Sequence, residues 1–199
     1  MVPSTMTTVV LVCHPETHGE AVHRIEAGVC WHDGALAFNY TLEGDITRLR
    51  IPLPRLLRRT DRLWQHTCFE AFVSVKDKPE YYEFNFAPSG EWAVYRFRCY
   101  RDGAPLEDEE LDPRITVRSV ADRLNLDAIV RLDRLPTIEP HVSLRLALSA
   151  VVEEERGVLS YWALKHPPGK PDFHHPDAFM LELEPLDVDS VKESAIDKR

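Results

Sequence analysis

The chain has 199 residues, 44% hydrophobic and 29% charged, a length and balance that allow one large β domain or two small ones with a full core. Its 24 Lys and Arg against 33 Asp and Glu give a formal charge of −9, which argues against sequence-independent binding to nucleic acid or anionic membranes, since such binding needs clustered basic side chains. No apolar run approaches the roughly 18 residues of a membrane span.

Composition also bears on the elements. Fifteen prolines against eight glycines favour short strands and stiff loops over long helices. The first predicted strand covers residues 6–13. Its apolar part, residues 9–13, is too short for a signal-peptide core and has no basic flank before it. Strands follow at 21–27, 35–42 and 46–51, with turn signals at His32-Asp33-Gly34 and Glu43-Gly44-Asp45. Pro52 and Pro54 end the fourth run, and residues 55–62 read as a solvated basic connection or a short helical turn.

Residues 64–100 read as three successive strands. Phe69, Ala71, Val73 and Val75 alternate with Cys68, Glu70, Phe72 and Ser74; Tyr82, Phe84 and Phe86 alternate with Tyr81, Glu83 and Asn85. In the third run the alternation assigns Ala93, Tyr95 and Phe97 to the core and Trp92, Val94, Arg96 and Arg98 to the opposite, polar face. That face offers carboxylates, an amide, guanidiniums and aromatics together, as a polar binding surface or a solvated face with cross-strand ion pairs would.

The acidic stretch 107–110 is expected to be a loop. Further strands are predicted at 115–120, 124–132, 142–150, 159–164 and 178–183. The last two are joined by a loop carrying four prolines and His166, His174 and His175. Proline restricts its backbone, so its polar side chains are ordered before any ligand arrives. About a dozen short strands predict an all-β fold: an antiparallel β-sandwich of jelly-roll or immunoglobulin-like kind, one domain over residues 1–185, followed by a disordered polar tail at 186–199.

The four cysteines, at 13, 30, 68 and 99, show neither CxxC pairing nor zinc-ligand spacing. They are expected to be free thiols in a reducing cytoplasm. His166, His174, His175 and Asp177 share one loop, but their spacing fits no standard metal site, so neither a metal nor another cofactor is expected.

The segment from Trp64 through Glu70 to Phe72, followed by Tyr82-Glu83-Phe84-Asn85 and Pro88-Ser89-Gly90-Glu91-Trp92, resembles a pattern of DOMON-like domains and the related family 9 carbohydrate-binding modules. Tyr161-Trp162-Ala163-Leu164 and the proline-rich loop resemble a bacterial DOMON-like subgroup of unestablished function. The resemblance covers about a third of the chain and implies a non-catalytic module that binds a carbohydrate or similar small molecule. It implies Trp64 as one aromatic clamp, Trp162 or Phe173 as the second, Glu70 as the carboxylate and Arg96 or Arg98 as the arginine. With Glu83, Asn85, His166 and His174 on the polar face or loop rim, these residues form the expected site. Two other readings stay open: a haem- or metal-binding protein of DOMON type, and a glycoside-hydrolase-like enzyme using Glu70 and Glu83 as acid and base. The secreted carbohydrate modules carry signal peptides, and this chain, whose first apolar run reads as a strand, is expected to differ from them there.

Overall fold

The computed structural model describes residues 5–32, 34–106, 111, 113–135, 137–138 and 142–185. Asp33 of the first predicted turn, the acidic stretch 107–110 and the tail 186–199 lie outside the described residues. The all-β expectation holds: among the described residues there are thirteen strands, a few single 3-10 turns and no α-helix.

The strands are β1 (Thr7–Cys13), β2 (Val22–His32), β3 (Ala35–Gly44), β4 (Arg58–Arg59), β5 (Cys68–Val75), β6 (Tyr81–Phe86) and β7 (Glu91–Cys99). They continue with β8 (Asp102–Pro105), β9 (Arg114–Val120), β10 (Arg123–Arg131), β11 (Leu144–Glu153), β12 (Leu159–Ala163) and β13 (Leu181–Leu183). Hydrogen bonding runs in the order β4-β7-β6-β5-β11-β12-β1-β2-β3-β10-β9, with β13 on β11 and β8 on β7. Where alternation predicted a sandwich antiparallel throughout, the structure shows one curled sheet, and β4 lies parallel to β7.

β1 makes the curl. Residues Thr7 to Leu11 pair with β2, whereas Val12 and Cys13 pair with Ala163 and Trp162 of β12. A strand that changes partner part-way along carries the ladder round a corner, so the two halves face each other. One buried cluster spans both, from Phe38, Tyr40 and Leu126 to Phe69, Phe84 and Leu146. Tyr40 crosses it, with its ring centroid 5.0 Å from that of Phe69 and its hydroxyl donating to the Glu70 backbone carbonyl at 2.7 Å.

Three local expectations change. The strand predicted at 46–51 begins instead as a 3-10 turn, Ile46–Arg48, because the Asp45 side chain accepts the Thr47 N–H and caps it. The basic connection at 55–62 contributes the two-residue strand β4. In β7 the faces are reversed. Tyr82, Phe84 and Phe86 pair with Arg96, Val94 and Trp92, which puts those three on the core side and Ala93, Tyr95 and Phe97 on the other.

That other face of β5, β6, β7, β11 and β12 positions the site. It is not open to solvent throughout, because Phe173, Ala178 and Phe179 cover part of it in a second apolar cluster with Phe72, Tyr81 and Phe97. Hence β5 is buried on both faces from Cys68 to Ser74.

Candidate functional site

Ladder register lines up the polar residues. Across the outer face Ser149 of β11 stands opposite Glu70 of β5, which stands opposite Asn85 of β6, and Glu83 stands opposite Tyr95 of β7. A cavity of about 410 Å³ opens above them. Glu70 and Glu83 line it, with Trp64, Tyr95, Phe97, Tyr161 and Phe173 as aromatic wall and Arg101 and His174 as further polar groups. Trp64 is held at the mouth by the 3-10 turn Leu63–Gln65 and is 47% exposed.

The two carboxyls differ in support. Glu70 is buried, and among the described residues neither its Oε1 nor the Ser149 hydroxyl has a hydrogen-bond partner. Burial, with the Glu83 charge added, pushes the Glu70 carboxyl well above the usual carboxylate range. Glu83 accepts from Asn85 Nδ2 at 2.7 Å, and the Cys68 thiol donates to Asn85 Oδ1 at 3.4 Å. Burial raises Glu83 to about 7, against the lowering effects of the Asn85 bond and the Arg101 charge. The pair therefore holds a proton more readily than free carboxyls do, and Glu83 is partly ionised at neutral pH.

A second row of contacts fixes His174. The Arg101 N–H donates to the Tyr81 hydroxyl at 3.1 Å, and that hydroxyl lies 2.9 Å from His174 Nδ1. Burial raises Tyr81 to about 12, so it keeps its proton. Burial and the Arg101 charge lower His174 to about 4, so the ring is neutral at pH 7, with Nε2 turned to Glu83 Oε2 at 3.6 Å. Arg101 has a left-handed backbone, φ 55°, and its guanidinium is 2.7 Å from Asp172, which also accepts from the Tyr100 hydroxyl at 2.6 Å. A non-glycine residue in this region costs about 1 kcal/mol or more, and the Tyr81 and Asp172 contacts hold it there.

Of the residues expected from sequence, Trp64, Glu70, Glu83, Phe173 and His174 meet in the cleft. Asn85 lies behind it, supporting Glu83. Arg96 is on the core side of β7, and Arg98 is exposed and paired with Asp102 at 2.9 Å; neither lines the cleft. Trp162 is a core residue whose indole N–H donates to Ser160, and its neighbour Tyr161 faces the cavity. His166 is 2.8 Å from the Val12 carbonyl and edge-on to His14, at a separate hollow beside β1. Sequence reading missed Arg101, although Tyr100-Arg101-Asp102-Gly103 is a recognisable turn, and Tyr161, which the alternation with Trp162 could have supplied. Among the described residues no three His, Cys, Asp or Glu side chains gather as a metal site would require.

No family model matches the sequence, and no curated protein matches it. Among solved structures, the chain is similar to a candidate carbohydrate-binding protein from Bacteroides uniformis, with a TM-score of 0.67 and 11% identity over 88% of this chain and 84% of that one. At such identity the likeness is one of fold. Two structures of a family 9 carbohydrate-binding module from Caldicellulosiruptor kristjanssonii, in complex with glucose and with cellotriose, align at 11% identity and a TM-score of 0.48. They cover 81% of this chain, which covers 75% and 74% of theirs. The likeness to DOMON-like domains rests on sequence motifs alone.

Proposed function

We propose that this chain is a non-catalytic binding protein for a carbohydrate or similar polyhydroxylated small molecule, held in the cleft between Trp64 and Phe173. The observation that carries the reading is Glu70: a buried carboxyl with an unpartnered oxygen at the base of an aromatic-walled cavity. Aromatic faces suit the C–H face of a sugar ring, while Glu70, Glu83 and Arg101 offer donors and acceptors to its hydroxyls. The description of the Bacteroides uniformis protein as carbohydrate-binding points the same way. The cytoplasmic setting expected from the cysteine spacing is kept as part of the proposal.

The test is a thermal-shift screen of mono- and oligosaccharides followed by titration of the best ligand. Trp64→Ala and Glu70→Ala are each expected to weaken binding by about 1–3 kcal/mol. Unchanged affinity in both variants would count against this cleft. A second reading has one feature behind it, two buried carboxyls on neighbouring strands, Glu70 raised well above the usual range and Glu83 raised to about 7, as in an acid–base pair. Turnover of an aryl glycoside, abolished by Glu70→Gln, would replace the binding role with a catalytic one.

A further inference from the structure

Among the described residues no Lys or Arg forms an ion pair with either carboxyl at the base of the cleft, and the Arg101 charge acts on Glu83 only from beyond contact. The groups that face them come from every surrounding element. Asn85 on β6 and Ser149 on β11 are uncharged, and burial keeps the Cys68 thiol and the Tyr161 hydroxyl protonated. Tyr81 and the loop residue His174 are neutral at pH 7. Among the described lining residues the one formal cation is Arg101, and its guanidinium is already engaged by Asp172 at 2.7 Å. The cleft therefore holds two acids, one with an unpartnered oxygen, beneath aromatic faces whose negative quadrupole attracts positive charge.

We propose that the cleft selects a sugar or polyol carrying a protonated amine, with the ammonium seated against Glu70 and Glu83. This rests on the carbohydrate reading above and narrows its ligand class. With no ligand, the pair avoids two adjacent negative charges by retaining a proton; an ammonium supplies the missing charge, and the carboxyl proton passes to solvent as it binds. A hydroxyl or an N-acetyl group in the same place brings no charge and leaves that proton where it is. The hydroxyl of Ser149, on the same face and unpartnered, is a further acceptor for an N–H donor.

The experiment is calorimetric titration with glucosamine, N-acetylglucosamine and glucose, each in two buffers of different ionisation enthalpy. Glucosamine is expected to bind about tenfold or more tightly than the other two, the scale of a cation over aromatic faces with an acidic partner. At about pH 6, where the free sugar's amine is already protonated and takes up none on binding, it should release a fraction of a proton, whereas the neutral sugars release none. Glu70→Gln, close in shape to the protonated acid, should cut the preference several-fold and reduce the proton release to what Glu83 alone supplies, while leaving the melting temperature within a few degrees. Equal affinity for glucose and glucosamine overturns the charge selection and leaves the carbohydrate reading standing. Binding of none of the three sugars overturns both. Tight glucosamine binding without proton release, in either buffer, places the ammonium away from the carboxyl pair and overturns the assignment.

Discussion

Glu70 shows how one buried side chain ties stability to function. A carboxyl whose proton affinity is raised on folding stabilises the fold fully below the ordinary carboxylate range and loses that contribution as pH rises through its folded value. Glu70 is raised by burial and by Glu83, and Glu83 by burial to about 7, so the native protein should lose stability as pH rises from the ordinary carboxylate range through about 7. Glu70→Gln should flatten this fall, because it removes the carboxyl whose proton affinity folding raises. Urea denaturation across that range measures it; parallel curves for the two proteins would mean that Glu70 is ionised in the fold. The tryptophans give a contrast at the same scale. Trp64, half exposed at the mouth, should tolerate alanine with a stability loss under about 1 kcal/mol while binding suffers. Trp162, buried in the core, should lose about 3–5 kcal/mol on the same change.

The element that completes the site is the proline-rich connection between β12 and β13. It is pinned at intervals: His166 to the Val12 carbonyl, His14 Nε2 to the Gly169 carbonyl at 2.9 Å, Asp172 to Arg101, and His174 to Tyr81. A histidine whose proton affinity falls on folding stabilises the fold above its ordinary value, near 6.5, and loses that contribution as pH drops through the folded value. For His174 that window runs from 6.5 down to about 4. The 3.6 Å approach of Glu83 does not reverse this, because Glu83 is itself protonated across most of that interval. His174→Gln keeps a hydrogen-bonding group for Tyr81 and should make the unfolding free energy, measured by urea denaturation, less steep in pH between about 6.5 and 4, by up to about 3 kcal/mol at the acid end. An unchanged acid limb would show that the ring is solvated. This loop also explains what the sequence showed and what it hid. Alternation marks β5 and β6 correctly because Phe69, Ala71, Tyr82 and Phe84 outnumber the polar set on one side. In β7 both faces are apolar, Trp92 and Val94 against the core and Tyr95 and Phe97 beneath the loop side, so period two divides the residues without saying which set points inward. That inversion led to Arg96 and Arg98 where Arg101 stands, while the resemblance offered Trp162 where its neighbour Tyr161 lines the cavity. Trp64, Glu70 and Glu83 were legible because their motif lies within one strand pair and its entrance. Arg101 and Ser149 reach the site only through turn geometry and cross-strand register, which no local pattern records.

At the scale of the whole molecule, the curled sheet couples the cleft to the far half of the fold. β5 carries Glu70 outward to the site, and its backbone carbonyl at the same residue accepts the Tyr40 hydroxyl from β3 across the core. Tyr40 is fully buried, so its hydroxyl has no water to turn to if that bond is lost. The cluster around it is continuous from β2, β3 and β10 to β5, β6 and β11, which predicts that neither half keeps its packing when the other opens. Two probes separate the possibilities. Far-ultraviolet circular dichroism reports both halves, whereas tryptophan fluorescence is weighted to one, because Trp64, Trp92 and Trp162 lie on the site side and Trp31 alone lies on β2. Urea unfolding should give coincident transitions by the two probes. Tyr40→Phe should move both midpoints together, by about 1–2 kcal/mol, the worth of one buried hydrogen bond. If fluorescence changed at lower urea than circular dichroism, and Tyr40→Phe widened that gap, the site half would be a separate cooperative unit and its cleft could open without unfolding the rest.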